Sequence, residues 1–417
     1  MLSSSAEISL SQQRFTSSFL SPSAFDPLLL PQLLKDNACR DGLDYARLIR
    51  SHFLAFERTI VSRNHQSWSW KRAAIEVIAV RKAFPLINNE HAIQAMIAWF
   101  YLLCHVDDEV EKLDSNTAKI TLQKSIYLMR HSCIWRQCPD VRSGSMDEKL
   151  RQIPDQRRHD SPLNRSSSPT RSQSEKSIPS SDGSDASIAV LTMTEAFVRQ
   201  MFRVLPPYAI RNVAQSIVKV WQFMCVEFDE RARSTSGPSP EAYLAVRTHT
   251  IGLEPFFTIL ESLLLDRRDD TPTASYATLI ASVSLAVGLQ NDIVGLEKDL
   301  SIGERLNMIL LATKQNEEQD LETALTMAIA MHNDAVKTSL SCYQELISGI
   351  SCFADQDLGL VAKSALLFLR THYSWATHSR RYQKPDKTLC GLAADGMKQA
   401  GLRVLCYKAR MRKWRRV

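Results

Sequence analysis

Two long apolar stretches of helical period, each ending in a knot of carboxylates, restrict the fold of this chain more than any other feature. The first is HAIQAMIAWFYLLCHVDDEVEKL, residues 91–113, and the second is SYATLIASVSLAVGLQNDIVGLEKDL, residues 275–300. Both are too long for strands, and their apolar stripes need other helices to cover them. Further helical patterns lie at WKRAAIEVIAVRKAF and along most of the stretch from Ile188 to about Thr377. Glycine is scarce, at 13 of 417 residues, and long alternating runs of β-branched residues are lacking. A sandwich, a barrel or a glycine-rich nucleotide-binding sheet is thereby disfavoured. No internal repeat is present, which argues against a helical solenoid. The expectation is an all-α fold with one large helical core.

Charge and cysteine usage narrow the function. The formal net charge is +6, but the last ten residues, KARMRKWRRV, hold six Lys or Arg and no acid. Without them the chain is neutral, so the basic excess belongs to a tail and not to a nucleic-acid-binding face. Nine scattered cysteines form no CxxC pair, which fits reduced thiols and a cytoplasmic location. The longest strongly apolar run, Ala95 to Cys104, is about half of the roughly 20 residues a span requires, so no transmembrane helix is expected. The opening MLSSSAEISL has no basic region ahead of an apolar one and does not read as a secretory signal.

Between residues 141 and 187 the composition changes abruptly: 13 of 47 positions are Ser, four are Pro and none is aromatic. Such a segment buries too little apolar surface to offset its ordering entropy and reads as a disordered insertion within one domain. The expected organisation is a leader and first helix over residues 1–49, a helical domain over 50–382 interrupted at 141–187, and a basic tail over 383–417.

At 100° per residue, Asp107 and Glu111 fall on one helical face above Phe100 and Leu103, with Asp108 turned 100° aside. Like-charged acids at i and i+4 near a helix C-terminus oppose each other and the macrodipole. A compensating cation would make sense of them, and oxygen donors suit magnesium; a solvated acidic helix end is the plainer alternative. In the second stretch Gly288, Asn291, Gly295 and Asp299 share a face. Two glycines there cost about 1 kcal/mol each relative to Ala, which suggests a face kept open for a ligand, or else close helix packing.

Taken together these residues resemble the class I terpene synthases, especially microbial, fungal-type sesquiterpene and diterpene cyclases. Asp107-Asp108-Glu109-Val110-Glu111 resembles the family's aspartate-rich metal motif, and NDIVGLEKD resembles its second metal motif. Gly295 replaces the family's Ser or Thr, and Asp299 replaces its Glu. Tyr243 and Arg247 resemble the helix that carries the diphosphate sensor, with Thr250 to Gly252 as the following helix break. Trp375, Ser379, Arg381 and Tyr382 resemble the C-terminal Arg-Tyr motif.

The resemblance implies a helical bundle that ionises an isoprenyl diphosphate with three magnesium ions, a soluble monomer or homodimer without nucleic-acid partners, and a place in isoprenoid secondary metabolism. Asp107, Asp108, Glu111, Asn291, Gly295 and Asp299 would form the metal site. Arg247, Lys298, Arg381 and Tyr382 would hold the diphosphate. Phe100, Leu103, Phe223, Phe256 and Phe257 are expected as pocket walls, with plain core packing as the alternative for each. Farnesyl diphosphate is the favoured substrate and geranylgeranyl diphosphate its nearest rival. The departures at 295 and 299 also leave open a catalytically silent helical protein of the same fold.

Overall fold

The computed structural model describes residues 43–57, 70–135, 181–233, 237–265, 274–315, 320–348 and 356–379. Twelve helices and no strand occur among them, as the periodicity requires. In chain order they are α1 (Tyr45–Phe56), α2 (Trp70–Ala83), α3 (Glu90–Val110), α4 (Ser115–Trp135), α5 (Ser181–Val204) and α6 (Pro207–Arg233), followed by α7 (Pro240–Thr250), α8 (Glu254–Leu264), α9 (Ala274–Ile302), α10 (Met308–Gln315), α11 (Leu321–Ser348) and α12 (Gln356–His378).

Local chemistry sets the starts of several helices. Asn89 accepts from the Ala92 amide at 3.0 Å and opens α3 with Glu90 in its first turn, so an orphan donor is satisfied and an acid meets the positive dipole end. Ser239 caps α7 through the Ala242 amide at 3.2 Å, and Pro240 follows in the first turn, where its missing N–H costs nothing.

The α9 helix packs against α11, α12 and α7, while α3 packs against α5, α2 and α8, and α6 packs against α4, α8 and α7. The main core is rich in rings. Trp99 of α3 and Trp221 of α6 lie 5.6 Å apart, and Phe84, Phe256 and Phe368 form a triangle with centroids 5.3 to 6.0 Å apart. A smaller core gathers Leu289, Ile293 and Leu296 against Met308 to Ala312 and Leu325.

Two expected boundaries need correction. The boundary at residue 49 falls inside α1, whose Leu48, His52 and Phe56 are all buried; one apolar stripe runs across it. The Ser-rich insertion is expected to continue to 187, yet α5 begins at Ser181. Ala186 is already core, and the hydroxyls of Thr121 and Ser187 are 2.8 Å apart. Small residues that look like linker are what a close helix contact accepts; residues 141–180 lie outside the described residues. By length and composition alone α9 could cross a membrane, a test that a buried core helix passes equally well. Of its most apolar window 67% is buried inside the bundle, so contact with other helices accounts for its composition.

Candidate active site

A cleft opens between the C-terminal halves of α3 and α9, with α6, α7, α8 and α12 completing its wall. Its lining includes Asp107 and Glu111 from α3, and Asn291, Asp292, Gly295, Lys298 and Asp299 from α9, along with Arg247. The apolar lining includes Phe100 and Leu103, about two turns and one turn before Asp107 on α3, together with Phe256, Phe368 and Trp375. Charged and apolar side chains thus share one cleft.

Asp292 is the buried anchor of the α9 wall, only 2% exposed. It accepts from the Tyr243 hydroxyl at 3.0 Å and from the Met308 amide at 2.9 Å, and the Arg247 Nε is 3.3 Å away. Burial pushes its carboxyl up to about 6, against the pull of Arg247 and of the Met308 and Tyr243 hydrogen bonds. Arg247 also donates from Nη2 to Asn291 Oδ1 at 2.6 Å. Asp299 is raised by burial and accepts from Asn307 Nδ2 at 2.9 Å. The same Asn307 amide donates to the Asp292 carbonyl, also at 2.9 Å. Asp292 and Asp299 are thus held by the segment that follows α9, and Asn291 by Arg247 of α7.

The helix break after α7 is built by Gly252, whose φ of 72° places it in the left-handed region. Its carbonyl accepts from Trp99 Nε1 at 2.9 Å. A Cβ at 252 would lie 2.6 Å from Leu103 Cδ2, so conformation and contact both require glycine. This break brings Thr250, Ile251 and Leu253 to the cleft, and the buried Thr250 Oγ1 has no hydrogen-bond partner among the described residues.

Among the lining residues that the sequence analysis does not single out are three charged ones: Glu227 and Arg231 of α6, and Glu304 beyond α9. Arg231 Nη2 lies 3.4 Å from Glu304 and 3.7 Å from Glu227. Burial opposes its charge, but Glu227, Glu304, Glu111 and Asp107 outweigh that and raise its pKa above the ordinary guanidinium value. It sets a cation between the α3 acids and Glu304, in addition to Arg247 and Lys298 in the same lining. In the sequence, Glu227 and Arg231 read as a solvated i,i+4 pair at a helix end, and only packing shows what they face.

The expected pocket walls divide. Phe100, Leu103 and Phe256 line the cleft. Phe257 does not: it is 1% exposed and packs edge-on to Phe84, with centroids 6.3 Å apart. Phe223 stacks on His249 at 4.0 Å, away from the cleft lining. Adjacent residues on a helix point 100° apart, so of Phe256 and Phe257 one can face the cleft only if the other turns into the core. Asp108 is half-buried and absent from the lining, as its angular offset requires. Arg381 and Tyr382 lie outside the described residues.

Oxygen donors on both walls suit a small divalent cation. Among the described residues no three Asp, Glu, His or Cys side chains converge enough to hold one alone.

This architecture, an all-α bundle with acidic helix ends facing each other across one partly apolar cleft, is the class I terpene synthase fold. Linalool/nerolidol synthase from Streptomyces clavuligerus in complex with 2-fluorogeranyl diphosphate superposes with a TM-score of 0.55 at 15% identity, over 82% of this chain and 97% of that one. The SVS_A2 protein from ancestral sequence reconstruction does so with a TM-score of 0.51 at 13% identity, over 82% and 87%. No curated protein matches the chain in sequence. Residues 170–338 match the family model described as terpene synthase family 2, C-terminal metal binding. The fold is thus that of the class I terpene synthases, and the sequence match covers the stretch that carries α9 and its acidic end.

Proposed function

We propose that the protein is a terpene cyclase that ionises a linear isoprenyl diphosphate, farnesyl diphosphate before geranylgeranyl diphosphate, and closes the resulting carbocation into a ring. The observation that carries this reading is the mixed lining of one cleft: the polar Asp107, Glu111, Asn291, Asp299, Arg247 and Lys298, and the apolar Phe100, Leu103, Phe256 and Trp375. A diphosphate fits the polar groups and a hydrocarbon chain the apolar ones.

Asp107 and Glu111 on one side, and Asn291 and Asp299 on the other, would hold magnesium ions, with Asp108 outside the cleft lining. When bound, the ions neutralise negative charge that grows on the departing pyrophosphate. Arg247 supplies a planar fork for phosphate oxygens, and Lys298 adds a point charge. As the carbon–oxygen bond breaks, its electron pair leaves with pyrophosphate. The cation left behind lies against rings whose faces attract it by about 0.5 to 2 kcal/mol each. Closing the cleft excludes water that would otherwise capture the cation.

The test is to incubate purified protein with magnesium and geranyl, farnesyl or geranylgeranyl diphosphate, then to analyse the organic extract by gas chromatography. A cyclic product from one substrate supports the reading and selects the chain length. Absence of pyrophosphate release from all three overturns it in favour of a silent protein of the same fold.

A further inference from the structure

His372 of α12 lines the cleft, 8% exposed, with its ring between Phe368 and Trp375 at centroid distances of 5.9 and 5.8 Å. Trp375 in turn meets Phe100 edge-on at 5.7 Å. Of the rings named here the imidazole is the one with a basic nitrogen, since the Trp375 indole nitrogen can only donate, and its protonation pattern follows from the groups behind it.

The chain of deduction begins at a backbone carbonyl. Leu369 O can only accept, so the atom of Gln290 that faces it at 3.1 Å is the amide nitrogen. Its second N–H donates to His332 Nε2 at 3.1 Å, and His332 Nδ1 then carries the proton that faces Asn333 Oδ1 at 3.2 Å. Gln290 Oε1 is thereby left facing His372 Nδ1 at 2.9 Å. An amide oxygen cannot donate, so Nδ1 of His372 must. A neutral imidazole holds one proton, and His372 Nε2 therefore keeps a bare lone pair with no protein hydrogen-bond partner among the described residues.

We propose that His372 Nε2 is the base that ends the reaction by taking a proton from the cyclised carbocation. A carbon next to the cationic centre gives its proton to Nε2, and the C–H electron pair becomes the new C=C bond. The imidazolium then passes the proton to water or to released pyrophosphate. Gln290 and His332 are positioning residues, since they set which nitrogen is bare. Burial, aided by the Arg247 guanidinium, holds the His372 imidazole down at about 3, so the resting ring is neutral and does not repel a cation. A carbocation loses its proton readily even to so weak a base. The ring's seat among aromatic side chains places the acceptor beside the apolar lining where the hydrocarbon would lie.

This inference rests on the cyclase reading, and the experiment separates the two. The full chain and its His372→Phe variant, which keeps a flat ring beside Phe368 and Trp375, are given magnesium and farnesyl diphosphate. Each product is expressed per pyrophosphate released. The parent's main alkene should fall about tenfold in share, less than a positioned base's full contribution because water and pyrophosphate compete for the proton. Other alkenes and water-captured alcohols should take its place. Gln290→Met should shift the ratios in the same direction by a smaller factor.

Unchanged ratios in His372→Phe overturn the inference alone. So does a lower rate of pyrophosphate release at unchanged ratios, which marks a diphosphate donor. A parent protein that releases no pyrophosphate overturns the cyclase reading and this role with it. Should the variants not fold, nitrogen-15 NMR of the histidine-labelled parent decides: a His372 signal with Nδ1 protonated and Nε2 bare supports the role, and the reverse tautomer removes it.

Discussion

The two acidic walls of the cleft are supported in different ways. On α9 the support lies at the front, among the site residues themselves: Arg247 holds Asn291, Asn307 holds Asp299, and Tyr243 and the Met308 amide hold Asp292. On α3 it comes from behind. His105, on the turn before Asp107 and Asp108, faces Glu76 of α2 at 3.3 Å, and Glu76 also accepts from His52 of α1 at 2.8 Å. A wall bonded through its own ligands must exchange those bonds when a cation arrives, whereas a wall braced from the rear keeps its brace while its carboxylates change partners. The α3 wall thus has a brace that the arrival of a cation leaves in place.

The largest effects should come from removing charge at the cleft itself. Asp107→Asn and Asp299→Ala should each lower product formation by about 100-fold or more, as loss of a principal electrostatic group does, with the helical circular dichroism unchanged. Asp108→Asn should cost about tenfold or less, in line with a residue outside the lining. Parent-like yield from Asp299→Ala would show that the α9 wall takes no part in ionisation.

Arg247→Lys should follow, with a loss of about tenfold to 100-fold in kcat/KM, because a point charge cannot serve Asn291, Asp292 and a phosphate as a planar fork does. An equal loss in Arg247→Ala would mean that charge at 247 is of no use without the fork.

The rear brace should appear in stability more than in rate. Glu76→Gln should destabilise the fold by about 1 to 3 kcal/mol, from poorer pairing at a buried site, read from urea unfolding. Burial alone would raise the Glu76 carboxyl, but hydrogen bonds from His105 and His52 outweigh it and hold it at about 2, against an ordinary 4.5. A folded value below the unfolded one means stability that is present above pH 4.5 and lost as pH falls toward 2. The gap between parent and variant should therefore narrow over that interval. A gap independent of pH would show that the carboxylate's charge is not what braces α3.

The smallest expected effect is at Gly295. Gly295→Ser adds a hydroxyl to the α9 wall and should change activity by no more than about threefold, within the range of a gained or displaced hydrogen bond. A severe loss would show that the open space beside Asn291 and Asp299 is itself required.

The sequence by itself determined the helical class, the two acid-bearing helices and the faces they present, because a period of 3.6 residues orders side chains along one element without reference to any other. The break at Thr250 to Gly252 came only with the family resemblance, and the positive φ of Gly252 supplies its physical reason. Which helices meet was decided only by the tertiary structure. Gln290 and His372 are 82 residues apart in the chain, and nothing local to either indicates a hydrogen bond between them. Arg231 reads as a surface charge until α6 sets it between Glu304, Glu111 and Asp107, and Phe256 and Phe257 are equivalent until α8 is docked with one toward the cleft. Helical period fixes directions within an element; the partners found along those directions depend on close packing of residues far apart in the chain.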